Sequence, residues 1–148
     1  MKNILFLSGM ALLSVVSCRN EDNEPQNLLL GTWYYTKTVT YSGTTNTVLN
    51  TTAADNCNGK NNWTFAADGR LTARLYNATS SGCTEDAQSG TYVYDRSANT
   101  ITFNLNNNTA ILPVRNLSTR EMQLQLTPGD DINGDGVADP QIAFLVKR

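Results

Sequence analysis

Gly31-Thr32-Trp33-Tyr34-Tyr35-Thr36-Lys37-Thr38-Val39 alternates strictly: Trp33, Tyr35, Lys37 and Val39 fall on one side, Thr32, Tyr34, Thr36 and Thr38 on the other. A period of two among β-branched and aromatic residues predicts a strand with one buried face. Gly31, two positions before Trp33, leaves room for another group to approach where the strand begins.

The same pattern recurs downstream, each run closed by turn residues. Asn62 to Ala66 alternates, Asp68-Gly69 supplies a hairpin turn, and Leu71 to Tyr76 returns. Further strands are expected at Gly90 to Asp95, Thr100 to Leu105, Ala110 to Asn116, Glu121 to Leu126 and Gln141 to Arg148, the last with Ile142, Phe144 and Val146 inward. Pro113 cannot donate to a ladder and marks an edge or a bulge. Tyr92 or Val93 could face in on its strand. Tyr41 to Asn58 reads as a large loop with a short ragged strand near Thr47 to Leu49, and Asn77 to Ala87 as a second polar loop. No helical period of adequate length is present. Eight short strands linked locally favour an all-β, eight-stranded antiparallel up-and-down β-barrel over a two-sheet sandwich, because closure removes the exposed edges.

Residues 1–17 lie outside this fold. A short basic start, Met1-Lys2-Asn3, precedes an apolar run from Ile4 to Val16. Val15-Val16-Ser17-Cys18 resembles the bacterial lipobox, which implies cleavage before Cys18 and lipidation of Cys18. The expected location is then the cell envelope, anchored to the outer membrane on either its periplasmic or its surface face. Residues 18–27 are polar and acidic and read as a flexible tether, leaving 28–148 as the barrel domain.

Charge and cysteine usage narrow the chemistry. Without Lys2 the chain carries ten basic and thirteen acidic residues, a net charge of −3, with the basic residues scattered. Nucleic acid is therefore not an expected partner. Cys57 and Cys83, an even pair in an exported protein, are expected to form a disulfide that stabilises the fold by roughly 3–4 kcal/mol. There is no histidine, so the commonest general base is missing and no catalytic residues are assigned.

Leu28-Leu29-Leu30-Gly31-Thr32-Trp33, the Asp68-Gly69 hairpin and the closing Lys147-Arg148 resemble the small bacterial lipocalin-like lipoproteins, from about Leu28 to the end. The resemblance implies that Trp33 plugs the closed end of a barrel and that a basic residue, Arg148 or Lys147, lies across it. It also favours a barrel that holds a small hydrophobic molecule, while the missing histidine makes a non-enzymatic protein the expectation. The family's middle Thr-Asp-x-Tyr motif has only a loose echo in Tyr94-Asp95-Arg96.

The candidate ligand-binding residues are Trp33, Tyr35, Trp63, Phe65, Tyr92, Tyr94 and Phe103, which would line an apolar cup if they do not fill it. A solid interior would instead suit a structural or protein-interaction module. A calcium site is the one cofactor the sequence suggests. Asp131, Asn133, Asp135 and Asp139, with glycine at the sixth position, look like the first half of an EF-hand loop. The twelfth position is Ile142 rather than glutamate, and Asn-Gly and Asp-Gly are also ordinary turn formers. Both readings stand on the residues alone.

Overall fold

The computed structural model describes residues 28–126 and 129–148. The expected signal peptide (1–17), Cys18 and the tether (18–27) lie outside the described residues.

Nine strand segments build one antiparallel sheet: β1 (Gly31–Tyr41), β2 (Val48–Ala53), β3 (Asn62–Phe65), β4 (Arg70–Thr79), β5 (Gly82–Asp95), β6 (Thr100–Leu105), β7 (Asn108–Leu117), β8 (Glu121–Gln125) and β9 (Gln141–Lys147). They fill eight positions. β3 pairs with Gly31 to Tyr34 and β2 with Lys37 to Tyr41, so the two lie end to end along one flank of β1. β9 takes the other flank, with Trp33 opposite Lys147 and Thr40 opposite Gln141, and closes the barrel. Each remaining strand pairs with its neighbour in sequence, the up-and-down order the local connections predicted.

Turn chemistry explains the connections. Asn106 and Asn107 adopt φ of 48° and 65° between β6 and β7, the left-handed pair a two-residue hairpin demands. Gly69, at φ 80°, turns the chain between β3 and β4. The break between β2 and β3 follows from Asp55, whose Oδ1 accepts the amides of Cys57 and Asn58, each at 2.7 Å. That Asx turn diverts the backbone from the ladder and leads into a single 3-10 turn at Asn58–Lys60.

The core runs through the barrel, with Trp33, Leu29, Leu71, Phe65, Ile101 and Met122 almost fully excluded from water. Tyr92 is 3% exposed and Val93 60%, which settles the facing of β5. Pro113 sits within β7 rather than on an edge, and the register shift falls beside it, between Val114 and Asn116. The Val114 amide points to β6, bonding Asn99 O at 2.8 Å. The nitrogen of Pro113 therefore points to the β8 side, just beyond the first β7–β8 pair, where no donor is required.

Three expectations are corrected. First, β1 does not alternate throughout: a bulge at Thr36 shifts its register against β9, and the Thr36 hydroxyl caps it by donating to Phe144 O at 2.9 Å. Trp33 and Tyr35 face the main core, whereas Lys37 and Val39 fall in register with Phe144 and Ile142 on the opposite side of the sheet, where Val39 and Ile142 are buried apart from the main cluster. Second, the inward face of β9 is Ala143 and Leu145, not Ile142, Phe144 and Val146. Both sets are apolar, so alternation by itself could not choose between them. Third, Asn77 to Ala87 is not a loop. It is the far end of a β4–β5 ribbon whose strands pair with each other out to Thr79 and Gly82. Both faces of this ribbon meet water, so it carries no hydrophobic period to read.

The ribbon leaves the barrel because β3 accompanies β4 only to Arg74 and β6 accompanies β5 only from Gly90. Gly90 marks the departure point; a Cβ there would lie 1.8 Å from Asn104 O. The Cys57–Cys83 disulfide, Cα to Cα 5.4 Å, ties the ribbon back to the segment between β2 and β3. The amide of Tyr76 adds a 2.6 Å bond to Asn61 Oδ1. The expected disulfide is thus present, and it crosses a stretch where β2 and β4 do not pair.

Candidate functional site

One end of the barrel is sealed. Trp33 enters from β1 with no exposed surface, and its Nε1 donates to Leu29 O at 2.7 Å. Lys147, carried inward by β9, lies across the indole with Nζ 4.7 Å from the ring centroid and donates to Leu28 O at 2.5 Å. Gly31 makes this possible. Its φ of 112° is one that other residues rarely adopt, while the lysine stem passes at an ordinary contact distance of 3.7 Å from its Cβ position. Burial lowers the Lys147 pKa below the ordinary lysine value of 10.5. The basic residue over the tryptophan is therefore Lys147. Arg148 turns away and stacks on Tyr34 at 5.0 Å.

Above this floor the aromatic side chains part company. Phe65 meets Tyr92 edge-on, centroids 4.9 Å apart, and the Tyr92 hydroxyl donates to Ala66 O. Tyr94 is tied to Asn99 and Tyr35 to Thr38, each through its hydroxyl at 2.9 Å. Trp33, Tyr35, Tyr92 and Tyr94 pack in this arrangement and do not line the apolar cavity of the interior. Trp63, Phe65 and Phe103 do. They line an apolar cavity of about 160 Å³, walled on the far side by β7, β8 and β9. The sequence pattern missed Ala143 and Leu145 as wall residues because it placed β9 with the opposite face inward.

This geometry has relatives. Residues 29–126 match the lipocalin-like domain family. The chain belongs to that family. Eight chains among solved structures match as well. One is the crystal structure of a lipocalin-like protein from Bacteroides uniformis ATCC 8492, 14% identical, aligned over 82% of this chain and 99% of that one with a TM-score of 0.54. At that identity the likeness speaks for the lipocalin-like fold. No curated protein matches the chain.

The Asp131 to Asp139 loop of this lipocalin-like barrel packs against the β1–β2 turn. Asp139, fully buried, accepts the Gly43 amide on Oδ1 and those of Ile132 and Asn133 on Oδ2. Asp131 accepts the amides of Gly134, Asp135 and Gly136. Asn133 bonds both Ser42 and Asp135. Asp135 has a lowered pKa, chiefly through a hydrogen bond from Thr44 and then the Val137 amide. The four side chains expected at a calcium site are thus engaged with the loop's own backbone and with the neighbouring turn. Among the described residues, no group of three or more His, Cys, Asp or Glu side chains is placed to hold a metal ion.

Proposed function

We propose that this lipocalin-like barrel is an exported protein, anchored in the cell envelope through a lipidated Cys18, that holds a small hydrophobic molecule in its interior without catalysing a reaction. The cavity at Trp63, Phe65 and Phe103 is the observation that supports the binding part, since its lining is almost wholly apolar. Titration of the protein with hydrophobic probes, followed by Trp63 fluorescence, tests it. Saturable binding sustains the reading and its absence removes it. Replacing Cys18 by alanine tests the anchor, which is expected to move the protein from the membrane to the soluble fraction.

A second reading has its own support. The cavity is about half the smallest volume usual for drug-sized ligands, roughly 300 Å³. The β4–β5 ribbon projects with both faces in water. On this reading the barrel is a support that presents the ribbon to a protein partner. Cross-linking in whole cells from a residue at the ribbon tip, such as Ser80, would then capture one partner reproducibly.

A further inference from the structure

We infer, resting on the interior as the binding site, that its guest is a compact, uncharged ring, and that fatty acids are excluded. Volume is the first argument. A cavity of about 150 Å³ lined by Leu, Ile and Phe stays dry and binds benzene, so 160 Å³ suits about six to nine non-hydrogen atoms. An extended acyl chain does not fit within it.

Chemistry is the second. The indole N–H of Trp63 and the thioether of Met122 are the most polar side-chain groups on the wall, which otherwise presents only hydrocarbon. A carboxylate drawn onto this wall would lose its hydration and gain no partner, a cost an uncharged ring does not meet. Among the described residues no lysine or arginine borders the cavity. Lys37 lies over Phe144 on the opposite side of the sheet, Arg70 pairs with Asp68, Arg115 bonds Gln125, and Lys147 is held under the floor by Trp33 and Leu28 O.

Shape is the third. Phe65 and Phe103 stand 6.0 Å apart with their planes at 47°, and Trp63 adds a third ring to the same wall. Aromatic rings meeting at such angles accept the edge or face of another ring better than a flexible chain.

The test uses the full-length protein carrying Cys18→Ala, which keeps acyl chains out of the measurement. Benzene, toluene, hexanoate and palmitate are titrated separately, with tryptophan fluorescence and melting temperature as readouts. Toluene is expected to saturate, and the two carboxylates to bind at least about ten-fold more weakly or not at all. Ala143→Leu, which fills the cavity from β9, is expected to abolish toluene binding, and Leu112→Phe serves the same purpose from β7 if the first variant does not fold. Palmitate binding that is saturable and lost in Ala143→Leu overturns the ring inference while the interior site stands. No saturable binding by any of the four probes overturns the site and the inference together. Toluene binding that survives both filling variants places the guest elsewhere and overturns the inference as well.

Discussion

Lys147 shows how much one side chain can organise at the closed end. Its ammonium contacts an indole and a carbonyl while its stem passes over Gly31, and the cation–π contact alone is worth about 0.5–2 kcal/mol. Lys147→Met is expected to lower stability by at least about this amount, since it also leaves Leu28 O without its donor. Arg148→Met, on the exposed last residue, is expected to change it by less than about 0.5 kcal/mol. Urea denaturation of the two variants measures the difference. At Asp95 the relevant variable is pH. Its pKa is lowered from 3.8, first by the Ala98 amide and then by the Ser97 hydroxyl, and the Ser97 amide adds to this. The ionised form is favoured in the fold. Its contribution is therefore complete above pH 3.8 and fades as pH falls through the lower folded value. Carboxyl-carbon NMR titration is expected to find Asp95 below 3.8, and Ser97→Ala to move it back upward.

At the scale of elements, the β4–β5 ribbon and the Asp131 to Asp139 loop are held by different means. The ribbon is clamped covalently where β2 and β4 do not pair. The double variant Cys57→Ala, Cys83→Ala is expected to lose about 3–4 kcal/mol, the loop-closure effect for a 26-residue separation. Hydrogen exchange should rise in residues 75–89 and 54–61, and stay slow in β6, β8 and β9. A uniform rise across the barrel would show that the clamp supports more than the ribbon. The loop is instead pinned through Asp139, which joins three backbone amides from two segments. Asp139→Ala takes the shared acceptor from three part-buried backbone amides, at about 1–3 kcal/mol. It is expected to lower the melting temperature and to free residues 42–47 to exchange.

Across the whole molecule, closure depends on the two ends of the chain meeting, since β1 and β9 are more than 100 residues apart in sequence. Contacts of that separation form slowly and reward the chain only once made. Deleting residues 141–148 removes the β9 ladder, a cavity wall and the lysine under the floor together. The truncated chain is expected to lose its cooperative unfolding transition, read by near-ultraviolet circular dichroism against urea. Much of this architecture is legible in the residues. Alternating runs bounded by Asp-Gly, Asn-Asn and Gly signals announce the strands and their sequential pairing, and the resemblance of Gly31-Thr32-Trp33 to the lipocalin-like motif implies the plug. The position of the candidate cavity is much less legible. Of the seven aromatics proposed to line it, three do, because the others are drawn into packing and hydroxyl bonds at or near the floor.

Alternation and turn residues thus determined an all-β barrel with sequentially paired strands, because these are properties of neighbours along the chain. The even pair of cysteines gave the disulfide, and the tryptophan plug came from the resemblance to the lipocalin-like family. Which face of β9 points inward was decided only in three dimensions. Ile142, Phe144 and Val146 compete with Ala143 and Leu145 on equal apolar terms, and a single parity governs both the cavity wall and the choice of Lys147 over Arg148. That parity follows from the register of β9 against β1, with the bulge at Thr36 turning Lys37 and Val39 to the opposite side of the sheet, and register is a relation between strands that no one strand encodes.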